Sequence, residues 1–299
     1  MAAVLGRGPH LHHLGTSPDT ALPASQADSQ RASMWTLIYR RQGMLTELPE
    51  TTLAGVNIAN VNVTQATTLL VEAAVARRPL GVHLCNAYTL VLASQRPEYA
   101  TALNYKALNL PDGVPLTWFS RLQGGGGGLG PVRGPSLMRH VLAVDELRHF
   151  MLGGTPESNE RLLKSVRRHN PGVRVVGTLA PPFAAVTAAE LDDWVSAIQA
   201  CTPHVVWVGL GTPKQDEVIA ALVDRVDSVL VGVGAAFDFL SGAKKEAPSA
   251  LRGTGLEWMH RLSTEPRRLW RRYLIGNVSF AFLVARELRL QRHDRRRGR

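Results

Sequence analysis

The chain holds two cysteines in 299 residues. Cys85 and Cys201 lie in apolar surroundings without a partner motif, so they form neither a disulfide framework nor a Cys-x-x-Cys site. That usage suits a reducing compartment. No apolar run approaches the roughly 20 residues that a membrane-spanning helix needs. Ala2 to Leu5 is the longest candidate for the apolar part of a secretory signal and is too short, so export is not expected. No Gly-Lys-Ser/Thr follows a glycine-rich stretch, which argues against a P-loop. The dinucleotide fingerprint fails as well. Gly209-Leu210-Gly211 has Lys214 where its third glycine belongs, and Gly232-Val233-Gly234 has Phe237 there, so a nicotinamide dehydrogenase is disfavoured. Nor is there an Asp-x-Asp pair of the kind that holds a divalent ion on a nucleotide diphosphate; Asp192-Asp193 falls mid-helix, where a solvated face is expected. No metal and no cofactor are expected.

Charge, by contrast, is plentiful and unevenly placed. From Arg261 to Arg299 there are twelve arginines and no lysine against Glu265, Glu287 and Asp294, leaving nine of the chain's ten net positive charges in this segment. The body is nearly neutral. Such a tail seeks phosphates, on a lipid surface, a diphosphate substrate or a nucleic acid.

Residues 1–33, rich in Ala, Ser, Pro and His without periodicity, are expected to be a disordered leader. His10, His12 and His13 within it read as solvated rather than metal-binding, and Met34 is an alternative start. Residues 34–245 alternate strand-like and helical stretches. Helices are expected over Val61–Ala76, Tyr88–Gln95, Leu116–Leu122, Pro156–Val166, from Thr187, where Glu190 completes a capping box, and over Asp216–Val226. Strands are expected over Leu80–Leu84, Ala107–Leu110, Phe150–Leu152, Val173–Gly177, His204–Leu210 and Val229–Val233. This alternation predicts an α/β fold: a doubly wound, mostly parallel sheet with helices on both faces. Gly124–Gly128 cannot hold secondary structure and is expected to be a flap or insertion. A basic helical C-terminal appendage over 246–291 and a disordered polybasic end over 292–299 complete the chain. In Pro266–Leu290 basic residues alternate with Trp270, Phe280, Phe282 and Leu283, which suits a helix in a membrane interface; a core-packing helix is the plainer alternative.

The chemistry gathers where strands end. Ala107–Leu110 is stopped by Pro111 and Gly113, which leaves Asp112 at the carboxyl edge, where open α/β sheets bind ligands. An Asp between Pro and Gly is more often a plain turn residue. Asn86, Gly153-Gly154, Gly209 to Gln215 and Gly232 to Asp238 end the other strands, and a parallel sheet brings all these ends to one rim. Helices starting at Pro156 and Pro213 would aim backbone N–H groups there, a ready site for an anionic diphosphate. A carboxylate on such a rim suits a general base.

In order, Leu110-Pro111-Asp112-Gly113, Phe150 to Gly154, Val208 to Asp216, Gly232 to Gly242 with Ala247-Pro248, and Gly255 to Leu262 through Glu265-Pro266-Arg267-Arg268 resemble the WecG/TagA/CpsF glycosyltransferases over about 55–275. The resemblance implies an inverting, metal-independent transfer of a sugar, such as an N-acetylmannosamine-type sugar, from a UDP-sugar. The acceptor it implies is a hydroxyl of a polyprenyl-diphosphate-linked sugar, and the setting is cell-surface polysaccharide or teichoic-acid-type synthesis at the inner membrane face. By position it makes Asp112 the catalytic base and Asn86, Gln215 and Asp238 active-site residues, with Arg261, Arg268 and Arg271 folding over the diphosphate; Gly154, Lys214 and Gly234, on the strand-end turns, are the further substrate-binding candidates. The chain departs from the pattern at Leu84 (a Thr is common), Pro131 (Arg), Ser136 (Asp) and Asp216 (Glu); Arg133 is the candidate to stand in for the missing arginine. Expected partners are the UDP-sugar, the lipid-linked acceptor and an anionic membrane surface. A homo-oligomer is compatible with this reading and nucleic acid is not expected. Two alternatives stay open: a nucleotide-binding regulatory protein without transferase activity, and a nucleic-acid-binding protein using the basic tail.

Overall fold

A computed structural model describes residues 48–122, 130–248, 251, 254, 257–270 and 276–297. The leader with its histidines, Met34, Gly124–Gly128 and Arg271 lie outside the described residues, as do the side chains of Arg268 and of 291–299.

Eight strands make one sheet among the described residues: β1 (Glu50–Leu53), β2 (Val56–Ala59), β3 (Leu80–Cys85), β4 (Ala107–Pro111), β5 (Arg148–Gly153), β6 (Arg174–Leu179), β7 (Val205–Gly209) and β8 (Val229–Gly232). Their order is β1-β2-β4-β3-β8-β7-β5-β6. β1 runs antiparallel to β2 and every other pairing is parallel, the mostly parallel sheet that the alternation predicts. The β1–β2 hairpin was not expected from the sequence. Its turn is Ala54-Gly55, both at positive φ (56° and 74°), and Ala carries no hairpin signal.

Alternation along the strands sorts the core into two faces. Val82, Leu84, Val205, Trp207, Val229 and Val231 pack with α1 (Val63–Val75), α5 (Gly134–Leu142) and α6 (Pro156–His169). Val206, Val208 and Leu230 pack on the other face with α7 (Ala188–Cys201) and α8 (Lys214–Leu222). The same side also carries α2 (Ala87–Gln95) and α3 (Pro97–Asn104) over β1 and β2, while α4 (Val114–Leu122) follows β4. The sheet is therefore doubly wound. Its two halves meet where β8 lies beside β3, so the carboxyl ends of β3, β4, β7 and β8 open toward one junction.

After α9 (Ala236–Leu240) the chain forms α10 (Glu257–Thr264), α11 (Pro266–Trp270) and α12 (Gly276–Arg297). One face of α12 is core-packing: Phe280 is buried against the α2 cluster, with Leu283, Val284 and Leu288 beside it. Val278 and Phe282 on the opposite face, and Leu290 on its flank, are exposed. The core-packing alternative thus describes one side of this helix, and the exposed side is the one that the membrane-interface expectation concerns. No helix among the described residues is long and apolar enough to cross a membrane.

Candidate active site

A cavity of about 530 Å³ opens at the junction of the two halves. Asp112 reaches it because β4 ends abruptly. Its N–H donates to the Cys85 carbonyl (2.7 Å), and Val132 N–H donates to the Pro111 carbonyl (2.7 Å), so the turn is tied to the end of β3 and to the segment entering α5. The reversal runs through Gly113 at φ 108°, in the left-handed region that favours glycine.

Asn86 lines the same cavity and is the N-cap of α2, its Oδ1 accepting from Tyr88 N–H (3.1 Å) and Thr89 N–H (3.2 Å). The cap commits the carbonyl oxygen and leaves the amide NH2 as the group to offer a ligand. Gln215, buried in the first turn of α8, accepts from Gly234 N–H (3.0 Å) and so ties α8 to the loop after β8. A Cβ on Gly153 would come within 2.7 Å of the Gly209 backbone. Only glycine lets β5 and β7 end this close together below the cavity.

Asp238, Gly154, Gly234, Arg133 and Arg261 also line the wall. The structure thus gathers Asp112, Asn86, Gly154, Gln215, Gly234, Asp238, Arg133 and Arg261 from the sequence candidates. Lys214 is not among the lining residues. Its ammonium donates to the Ala184 carbonyl (2.6 Å), because successive helical positions point about 100° apart and Gln215 takes the inward one. Arg271 and the side chain of Arg268 lie outside the described residues.

Of the two helix starts expected to offer free amides, α6 is closed by a Thr155–Ser158 capping box. α8 starts without a side-chain cap, and so does α5, whose start at Gly134 lines the cavity and which the sequence reading missed. At α8, however, Gln215 and Asp216 N–H already donate to the Gly211 and Pro213 carbonyls (2.9 Å each), so the start of α5, where Pro135 carries no N–H, is the one that faces the cavity with amides of its first turn.

Below the wall lies a buried polar group that the sequence did not suggest. Asp216 bonds His83 Nδ1 (2.9 Å) and accepts from the Tyr99 hydroxyl (2.7 Å). It joins α8 to β3 and α3. Burial, and then the nearby Asp216 carboxylate, push the Tyr99 hydroxyl well above its ordinary pKa, so it stays a donor. Burial likewise holds the Cys85 thiol up, with Asp216 and Asp112 adding to the effect, so this cysteine is no thiolate nucleophile.

Around the mouth the charges pair. Arg133 Nε donates to Glu257 (3.0 Å) and its terminal nitrogens lie 3.5 Å from Glu246, which Arg139 also holds. Lys244 joins Asp238 (2.7 Å) to Glu265 (3.2 Å), and Arg261 lies over the Phe239 ring (4.9 Å to its centroid). Glu257, Trp258, Asn277, Tyr88 and Phe183 line the cavity and were not candidates. Glu257 and Trp258 belong to a motif already noted, but their inward orientation needed the fold. No cluster of three or more His, Cys, Asp or Glu side chains suited to a metal ion occurs among the described residues.

A profile of the glycosyl transferase WecG/TagA/CpsF family matches residues 51–295. The chain belongs to this family. The match runs from β1 into α12, so the appendage is part of the family unit and not an addition to it. An N-acetylglucosaminyldiphosphoundecaprenol N-acetyl-beta-D-mannosaminyltransferase of Bacillus spizizenii is 32% identical over 190 residues, 61% of this chain and 70% of that protein. Staphylococcus aureus proteins of the same name, from strains MRSA252 and NCTC 8325, are 28% identical over 144 residues, 47% of this chain. The chain spans 55% of the length of those staphylococcal relatives.

Proposed function

We propose that this glycosyltransferase moves a sugar from a UDP-sugar to a hydroxyl of a polyprenyl-diphosphate-linked sugar, with inversion and without a metal ion. The names of the relatives suggest an N-acetylmannosamine-type donor and an N-acetylglucosamine-diphosphate lipid acceptor. The observation that carries the reading is the convergence of Asp112, Gln215 and Asp238, which follow the ends of β4, β7 and β8, on one cavity of about 530 Å³. That volume lies within the range of small-molecule sites.

In the reaction Asp112 accepts the proton of the acceptor hydroxyl while the hydroxyl oxygen bonds the anomeric carbon from the face opposite the leaving group. The bond from that carbon to the diphosphate oxygen breaks, and UDP departs with the electron pair. The N-terminus of α5, with arginines of the wall and appendage, would meet the charge that develops. Phe183, 93% exposed at the cavity mouth, offers a flat face on which a nucleobase can stack. The exposed face of α12 with Val278 and Phe282 and the arginines beyond it suit an anionic membrane surface, where the acceptor resides.

Asp112→Asn keeps the shape and removes the base. Turnover of UDP-sugar with a short-chain lipid-diphosphate acceptor is expected to fall by about two to four orders of magnitude, with the melting temperature unchanged. Turnover near that of the parent protein would refute the base assignment. Turnover that persists in excess chelator supports the metal-independent route, and its loss would overturn that part.

A further inference from the structure

The charged residues lining the cavity do not, as they stand, favour an anion. Among the described residues, Arg133 and Arg261 face Asp112, Asp238 and Glu257 there. A diphosphate would arrive beside three carboxylates. The cation best placed on the core side, Arg133, is engaged already, its Nε on Glu257 (3.0 Å) and its terminal nitrogens on Glu246 (3.5 Å). These two carboxylates differ in kind. Glu246 is itself buried and shared with Arg139, so it is a fixed part of the wall. Glu257 is the first residue of α10, a helix with no buried residue. Its grip on Arg133 therefore belongs to an element that can leave.

We propose that Glu257 is an internal stand-in for a diphosphate: it occupies Arg133 while the cavity is empty, and a diphosphate ester displaces it. Binding then exchanges one anion for another on the same guanidinium, which is planar and suited to bidentate oxygen ligands, so no charge is left unpaired in the wall. The exchange also uncouples the start of α10 from the core. Lys244, through Glu265 (3.2 Å), and Arg261, over the Phe239 ring, also link this part of the appendage to the wall. Glu257 thereby sets affinity for the diphosphate and couples its arrival to the position of the appendage. The proposal rests on the transferase reading only in that it takes the diphosphate to be that of the donor or of the lipid-linked acceptor.

Calorimetric titration of the full chain with UDP, inorganic pyrophosphate and a short-chain prenyl diphosphate tests it. Glu257→Gln should bind a diphosphate ester roughly three- to tenfold tighter than the parent, the scale of losing a partly exposed ion pair as competitor. In an Arg133→Gln background the same change should have no effect, because the shared partner is gone. Tightening for UDP alone assigns the seat to the donor, and tightening for the prenyl diphosphate alone assigns it to the acceptor. Equal or weaker binding of both by Glu257→Gln, with the parent binding normally, would overturn the stand-in and make Glu257 a support for Arg133. Failure of parent and variant alike to bind any of the three would overturn the diphosphate reading of the whole cavity. Hydrogen exchange in α10 gives an independent check: it should quicken on Glu257→Gln without ligand, and unchanged protection there counts against the displacement.

Discussion

The floor and the roof of the cavity are built by different forces. Under the floor, Val205, Val206, Trp207 and Val208 of β7 are fully buried, and neighbouring strands continue the same packing. Over the mouth, α10 buries no residue, and its ties include Arg133–Glu257, Lys244–Glu265 and the Arg261–Phe239 contact. Burial of apolar surface is not weakened by ionic screening, whereas partly exposed ion pairs are weak and screened. The floor fixes the geometry of Asp112 and Gln215, whereas the ion pairs of the roof are contacts that salt can loosen.

Substitutions on the two sides should therefore differ in size and in salt response. Trp207→Ala removes a fully buried indole that stacks on His149 (6.1 Å between centroids) and donates to its Nδ1 (3.3 Å). A loss of about 3–5 kcal/mol is expected in urea unfolding, the same at low and high salt. A loss that shrank with salt would mean the floor is not held by packing.

His149 gives the floor a pH dependence of its own. Burial, and then His204, lower its pKa from 6.5 to about 4. Protonation would also cost it the Trp207 hydrogen bond, since Nδ1 is the acceptor. The unfolded chain thus takes up a proton near pH 6.5 that the folded protein refuses until about pH 4. Stability is complete above the upper value and declines as pH falls through that window. About 2 kcal/mol should be lost between pH 7 and pH 5. Urea unfolding of the parent and of His149→Gln isolates this contribution; equal slopes against pH in both would exclude His149 as the cause.

What the sequence disclosed follows the same division. The abrupt stop at Pro111-Asp112-Gly113, the capping box at Thr187 and Glu190, and the apolar strands were readable because local rules govern each. Two helices were missed because they open on proline, α3 at Pro97 and α5 at Gly134-Pro135. Proline reads as a break, yet it is favoured in the first turn. Lys214 and Gln215 looked equivalent in one motif, and helical rotation separates them. The charge pairs of the roof could not be read at all: Arg133 and Glu257 are 124 residues apart and only the fold makes them neighbours. The Asp216–His83–Tyr99 group is hidden for the same reason, its members coming from α8, β3 and α3.

The smallest effect is expected where floor and roof meet. Lys244 is partly exposed and bridges Asp238 of the wall (2.7 Å) to Glu265 at the end of α10 (3.2 Å). Lys244→Gln keeps much of the side chain's length and removes its charge. Because solvent screens both contacts, global stability should change by no more than about 1 kcal/mol, and the change should vanish in 1 M salt, where the Debye length is about 3 Å. The local consequence is expected to exceed the global one, since α10 buries no residue. Its amides should exchange faster in the variant than in the parent at low salt and at the same rate at high salt, while those of β7 stay protected in both. If β7 and α10 responded together, roof and floor would be a single cooperative unit, and the separation between a packed base and a charge-held cover would fail.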